Sequence, residues 1–324
     1  MPGTSPLRAW WAQRPPAAGA AVMATGIVSV GLHLTGYEVL SLITLALGCV
    51  AWLALAADCA AGMLRDRQRW LAAARTPGAL SAVAATTVLG TRISALGGHT
   101  LAAALLALAA VLWPVLLFLV GRGLRRRMPG AVFLLCVATQ GLAALGATLA
   151  VAESTAWLAH TALVLFWLGL ALYLVALARF DARQVLDGAG DHWVLAGALA
   201  ISALAGAKLI TAGGPELYLW NEDDQDVLHN VTVGLLALDL ACYVVLVLAE
   251  VVRPRPRYDV RRWSTVFPMG MTAVASLAGA SAVGTPWLRG PGHVLLWVAV
   301  AAWLAVAAGA VVTARAGIRA AGRV

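Results

Sequence analysis

Residues 264–284 read STVFPMGMTAVASLAGASAVG. The stretch is long enough to cross a membrane, yet it is poor in Leu, Ile and Val. It holds eight Gly, Ser or Thr residues and one aromatic, Phe267, directly before Pro268. A helix with such small sides is a poor lipid-facing surface. It suits close packing against other helices or the wall of a narrow cavity.

The rest of the chain supplies the setting. Of 324 residues, 61% are hydrophobic and only 12% are charged, about half the charge of a soluble domain. Apolar runs of 18 residues or more recur throughout. The sequence therefore predicts an all-α, polytopic membrane protein occupying 1–324 as a single transmembrane domain. Helices are expected, because an isolated open sheet leaves its backbone unsatisfied in lipid. Ten segments are predicted, at about 15–35, 37–61, 77–97, 99–121, 130–152, 155–178, 192–212, 227–251, 263–284 and 292–314. The N-terminal MPGTSPLRAWWAQRPP has no signal-peptide pattern, so the first segment is read as a retained helix.

Basic residues predict the orientation. Twenty of the 23 fall at the termini or in the loops after segments 2, 4, 6 and 8. Arg92, Lys208 and Arg289 are left for the other side. The positive-inside rule then places both termini in the cytoplasm. The expected location is the plasma (inner) membrane, crossed several times. The net charge of +8 is a topology signal on this reading, and no nucleic-acid partner is expected. Trp193, Trp263 and Trp287 are expected at membrane interfaces. The four cysteines lie in apolar runs without CxxC spacing, and the histidines lack ligand spacing. No metal or cofactor is expected.

The segments fall into two classes. Gly, Ser and Thr concentrate in the odd segments, whereas Trp52, Trp113, Trp157, Trp167, Trp297 and Trp303 all lie on even ones. The economical arrangement is an inner ring of segments 1, 3, 5, 7 and 9 wrapped by 2, 4, 6, 8 and 10. Small residues mediating packing in an ordinary bundle would leave the same compositional trace.

Three stretches carry a resemblance. PPAAGAAVMATGIVSVGLHL (15–34), GDHWVLAGALAISALAGAKL (190–209) and RWSTVFPMGMTAVAS (262–276) resemble the first, seventh and ninth helices of the tellurite-resistance/dicarboxylate transporter family. That family includes bacterial tellurite-resistance anion channel homologues, plant slow anion channels, and fungal malate and sulfite transporters. The resemblance implies five helical hairpins in a quasi-five-fold ring around one pore, and assembly as a homotrimer. It implies transport of small anions: C4-dicarboxylates such as malate, or sulfite, tellurite, chloride or nitrate. It also implies a phenylalanine gate, matched here by Phe267, with Pro268 and Gly270 able to bend the helix beside it.

Other candidate residues follow from polarity. Thr25, Gly26 and Ser29 on segment 1, and Thr86, Thr87 and Thr91 on segment 3, offer hydroxyl and close backbone contacts to an anion. Arg92 and Lys208, near the outer ends of odd segments, suit an electropositive pore mouth, or else snorkel to headgroups. Gln140 offers an amide to an anion or to a neighbouring helix. Asp239, an acidic residue near a membrane midplane, reads as a proton-coupling group or as a structural hydrogen-bonding one. No phosphate loop, nucleophile elbow or catalytic carboxylate pair appears, so an enzyme is not expected. A non-conducting structural or sensory membrane protein is the alternative.

Overall fold

The computed structural model describes residues 19–213, 222–255 and 258–321. Arg8, Arg14, Arg257 and Arg323 of the orientation pattern, and most of the acidic loop before residue 222, lie outside them. The described chain is nearly all helix, with one isolated β-bridge between Met128 and Phe180.

The long helices are α1 (Gly19–Leu34), α2 (Glu38–Arg65), α3 (Ser81–Ala95), α4 (His99–Gly121) and α5 (Leu134–Ala152). They continue as α6 (Ala156–Arg179), α7 (Val194–Thr211), α8 (Glu222–Val252), α9 (Trp263–Ala282) and α10 (Arg289–Ala321). Short helices at Arg67–Ala74 and Gln184–Asp187 sit in basic loops. A single 3-10 turn precedes each of α3, α5, α7 and α9. In such a turn each amide donates to the carbonyl three residues before it, which satisfies N–H groups that a buried helix start would otherwise orphan.

Eight of these helices are long and apolar enough to cross a membrane. The chain is a multi-pass membrane protein. The two that fall short, α1 and α3, are both deeply buried. A helix enclosed by protein need not match the roughly 30 Å of hydrocarbon with its own apolar length.

Burial separates the helices into two sets. The apolar windows of α5, α7 and α9 are 78–94% buried, whereas those of α2, α4, α6, α8 and α10 are 11–33% buried. The second set turns Val50, Phe118, Val164, Leu248 and Val312 outward, a surface suited to lipid. Consecutive odd–even pairs pack as hairpins. The buried helices also contact one another in closed order: α1 on α3, α3 on α5, α5 on α7, α7 on α9, and α9 back on α1. Each even helix reaches the next odd helix as well.

Two tryptophans differ from expectation. Trp193 is fully buried against Tyr243, with ring centroids 5.5 Å apart, and Trp263 packs on Trp303 at 6.4 Å. Their rings fill gaps between inner and outer helices instead of facing headgroups. Trp287 is exposed.

Candidate functional site

Where the five buried helices meet there is a cavity of about 20 Å³, room for little more than one water molecule. Every one of the five contributes to its wall. Ile27 and Val30 come from α1, and Thr87, Val88 and Thr91 from α3. Gly141 and Ala144 come from α5, Ile201 and Leu204 from α7, and Met271 from α9. Spacings of three or four residues repeat within helices, as one face of an α-helix requires. The wall is mostly apolar. Its two hydroxyls donate to carbonyls of their own helix, Thr87 to Ala84 at 3.0 Å and Thr91 to Thr87 at 2.9 Å. Such a hydroxyl proton can be turned to another acceptor by rotation about its Cβ–Oγ1 bond.

Phe267 lies one turn before Met271 on α9 and is fully buried in the main core. Its position there depends on Gly197 of α7. A Cβ at Gly197 would lie 3.3 Å from Phe267 Cε1 and 2.9 Å from Pro268 Cγ. The missing side chain lets the phenyl and pyrrolidine rings press onto the α7 backbone. Pro268 stands inside α9, which runs as one helix through it. Gly270 faces Ile27, whose Cγ2 would lie 2.8 Å from an added Cβ. The pair Pro268 and Gly270 therefore serves close contact with α7 and α1.

A family model for the voltage-dependent anion channels (SLAC1) matches residues 13–311, nearly the whole chain. The chain belongs to the SLAC1 family. This is the tellurite-resistance/dicarboxylate transporter family of the sequence resemblance, a transporter and channel family that moves anions across membranes. No curated protein matches the chain.

In this SLAC1-family chain the hydroxyl candidates divide between two kinds of neighbour. Thr87 lines the cavity, but Thr25, Thr86 and Ser29 are used by outer helices. The indoles of Trp52, Trp113 and Trp303 donate to Thr86, Thr139 and Thr25 at 2.8, 2.9 and 3.0 Å. Each bond joins an even helix to the next odd one. Ser29 is bonded to Ser41 of α2 through its hydroxyl and the Ser41 carbonyl. Gly26 packs on Val88 of α3.

Asp239 occupies the corresponding place between α8 and α9. It is fully buried, and its Oδ1 accepts from the Thr272 hydroxyl at 3.0 Å while Oδ2 has no partner. The carboxyl thus links an outer to an inner helix where three other hairpins use an indole. Gln140 is also turned outward. Its amide donates to the Phe166 carbonyl of α6 at 3.0 Å and crowds Gly169, while the adjacent Gly141 takes the cavity face.

The two cations part company. Arg92 is fully buried and directed at α2: Nε donates to Ser41 at 2.8 Å and Nη2 to Glu38 at 2.7 Å. Glu38 also meets His33, so the charge is neutralised at the junction of α1, α2 and α3. Lys208 is half-buried and makes no ion pair among the described residues. It follows Ile201 and Leu204 at spacings of seven and four, which places it on the cavity-facing side of α7, one turn beyond.

Selecting by polarity missed Ile27, Val30, Ile201 and Leu204. The available signal was their helical periodicity, which many apolar positions share.

Proposed function

We propose that the protein conducts small anions along the axis enclosed by α1, α3, α5, α7 and α9. The observation that carries this reading is a cavity to which all five helices contribute, within a closed order of contacts, in a chain of an anion-transport family. The ten helices all cross the bilayer as five hairpins in a quasi-five-fold ring. Both termini lie on the side of the basic loops, in the cytoplasm, and the membrane is the plasma (inner) membrane. The substrates are C4-dicarboxylates such as malate, or inorganic anions such as sulfite, tellurite, chloride or nitrate. The assembly is a homotrimer, a reading that rests on the family resemblance.

The apolar wall defines the mechanism. A passage this narrow and this apolar excludes a hydrated ion, so it acts as a dewetted barrier. Phe267 is the bulky group one turn to the basic-loop side of the cavity and serves as the gate. Widening at that level admits water, and the Thr87 and Thr91 hydroxyls turn to the anion. Lys208 raises the local anion concentration at the opposite mouth.

Flux in proteoliposomes tests the whole reading. A panel of malate, sulfite, nitrate and chloride is followed with and without a proton gradient. Protein-dependent movement of at least one anion is expected. No flux for any of them, in wild type and in Phe267→Ala alike, would favour a non-conducting structural or sensory role.

Two variants refine it. Lys208→Gln should slow entry about threefold at low salt, with the difference fading toward 1 M salt, where the screening length falls to about 3 Å. Equal effects at both salt concentrations would remove the steering role. Asp239→Asn keeps an acceptor for Thr272 and removes the titratable group. Flux in this variant should keep the pH dependence of wild type if Asp239 is a structural link. Loss of that dependence with the protein still folded would reassign it to proton coupling.

A further inference from the structure

A second feature lies away from the axis, at the ends of α4 and α6. A pocket of about 640 Å³, open on one side, is lined by Leu124, Arg126, Arg127, Ala178, Arg179 and Phe180. Arg126, Arg127 and Arg179 enter no ion pair among the described residues. The nearby carboxylate of Asp181 accepts from the Arg183 amide at 3.2 Å. Three arginines share the lining of one pocket, and like charges brought together in this way favour an anion among them.

The pocket is held by backbone. The Met128 amide donates to the Arg179 carbonyl at 2.7 Å, and the Asp181 amide to the Met128 carbonyl at 3.0 Å. This clasp joins the loop after α4 to the end of α6. Arg127 takes φ 59°, a left-handed conformation costly for a residue with a Cβ, so the loop is constrained to present it. Phe180 packs edge-on against the fully buried Phe133, with ring centroids 5.4 Å apart, which anchors the pocket wall to the start of α5. The turns beside it expose Phe118 on α4 and Leu174 and Leu177 on α6. An anion bound here therefore sits where a lipid-facing surface meets a basic loop.

We propose that this pocket binds a phosphate group. Its planar donors pair bidentately with tetrahedral oxyanions, which a lone point charge does not match. The phosphate comes either from an anionic phospholipid headgroup, whose chains lie along Phe118 and Leu177, or from a soluble phosphate. Because the wall reaches Phe133, occupancy braces the start of an inner helix.

The test uses the full-length protein in detergent at constant ionic strength. It is titrated with inorganic phosphate, short-chain phosphatidylglycerol or short-chain phosphatidylcholine, with chloride as the reference salt. The readouts are melting temperature and bound lipid by native mass spectrometry. Phosphatidylglycerol should raise the melting temperature by about 4 °C and remain bound if the source is lipid. An equal rise with inorganic phosphate identifies a soluble source. In either case R126Q/R127Q/R179Q should weaken the effect at least tenfold, and R65Q/R67Q/R75Q should leave it intact. If the triple glutamine variant does not fold, R126K/R127K/R179K keeps the charge, removes the bidentate fork and should weaken binding several-fold. Wild-type protein that responds no more to phosphate or phosphatidylglycerol than to chloride and phosphatidylcholine overturns the proposal. So does equal loss in the control set.

Discussion

Replacing Phe267 with alanine should increase anion flux by ten- to a hundredfold, equivalent to a barrier lowered by about 1.4–2.8 kcal/mol. The phenyl ring is fully buried against Gly197, one turn from a cavity with space for about one water. Removing it opens a void on the same side of α9 as Met271, continuous with the direction of the axis. The substitution also costs stability, about 3–5 kcal/mol for a buried aromatic cut to alanine. The two effects separate experimentally. Phe267→Leu keeps an apolar plug and should stay close to wild type in flux while losing some stability. Stopped-flow anion efflux from proteoliposomes, paired with thermal melting, reads both. A Phe267→Ala protein that melts earlier yet transports at the wild-type rate would leave Phe267 as a packing residue, and the gate would have to lie elsewhere along the axis.

A large stability loss is also expected at Gly130, where the 3-10 turn before α5 meets the one before α7. An added Cβ would lie 2.2 Å from the Asp191 carbonyl oxygen and 2.5 Å from the His192 Cα. Both are backbone atoms, so no rotamer change relieves the overlap. Gly130→Ala should lower stability by about 3 kcal/mol or more, beyond the usual range for overpacking. Gly234→Ala in α8 is the control, since nothing lies within 4 Å of its added Cβ. Alanine in a helix interior is favoured there by about 0.5–1 kcal/mol. Thermal unfolding of the two variants beside wild type decides the matter. A Gly130→Ala protein as stable as the control would mean that the α5 and α7 starts do not cross this closely.

How far the site was legible depends on the kind of residue. Thr87 was visible as a polar residue on a small-sided helix and does line the cavity. Thr25, Ser29 and Gln140 looked equivalent, yet their partners are Trp303, Ser41 and the Phe166 carbonyl. A buried hydroxyl or amide must find a partner, and an outer helix meets that need as well as a passing anion does. Arg92 is the same case with a charge: a buried cation requires a counter-ion, and Glu38 is 54 positions away in sequence.

The chain's own residues determined the membrane class, the placement of the long helices and their division into two sets. Apolar length and small-residue content are local properties, and each acts through the solvent or neighbour that a helix can tolerate. The inner set proved buried and the outer set exposed, as composition indicated. Only the tertiary structure decided which face of each inner helix turns to the central cavity. Rotation about a helix axis is set by long-range contacts, such as Trp52 on Thr86 and Gly197 against Pro268. Those contacts turn most of the polar groups toward the outer helices and leave Ile27, Val30, Ile201, Leu204 and Met271 to close the centre.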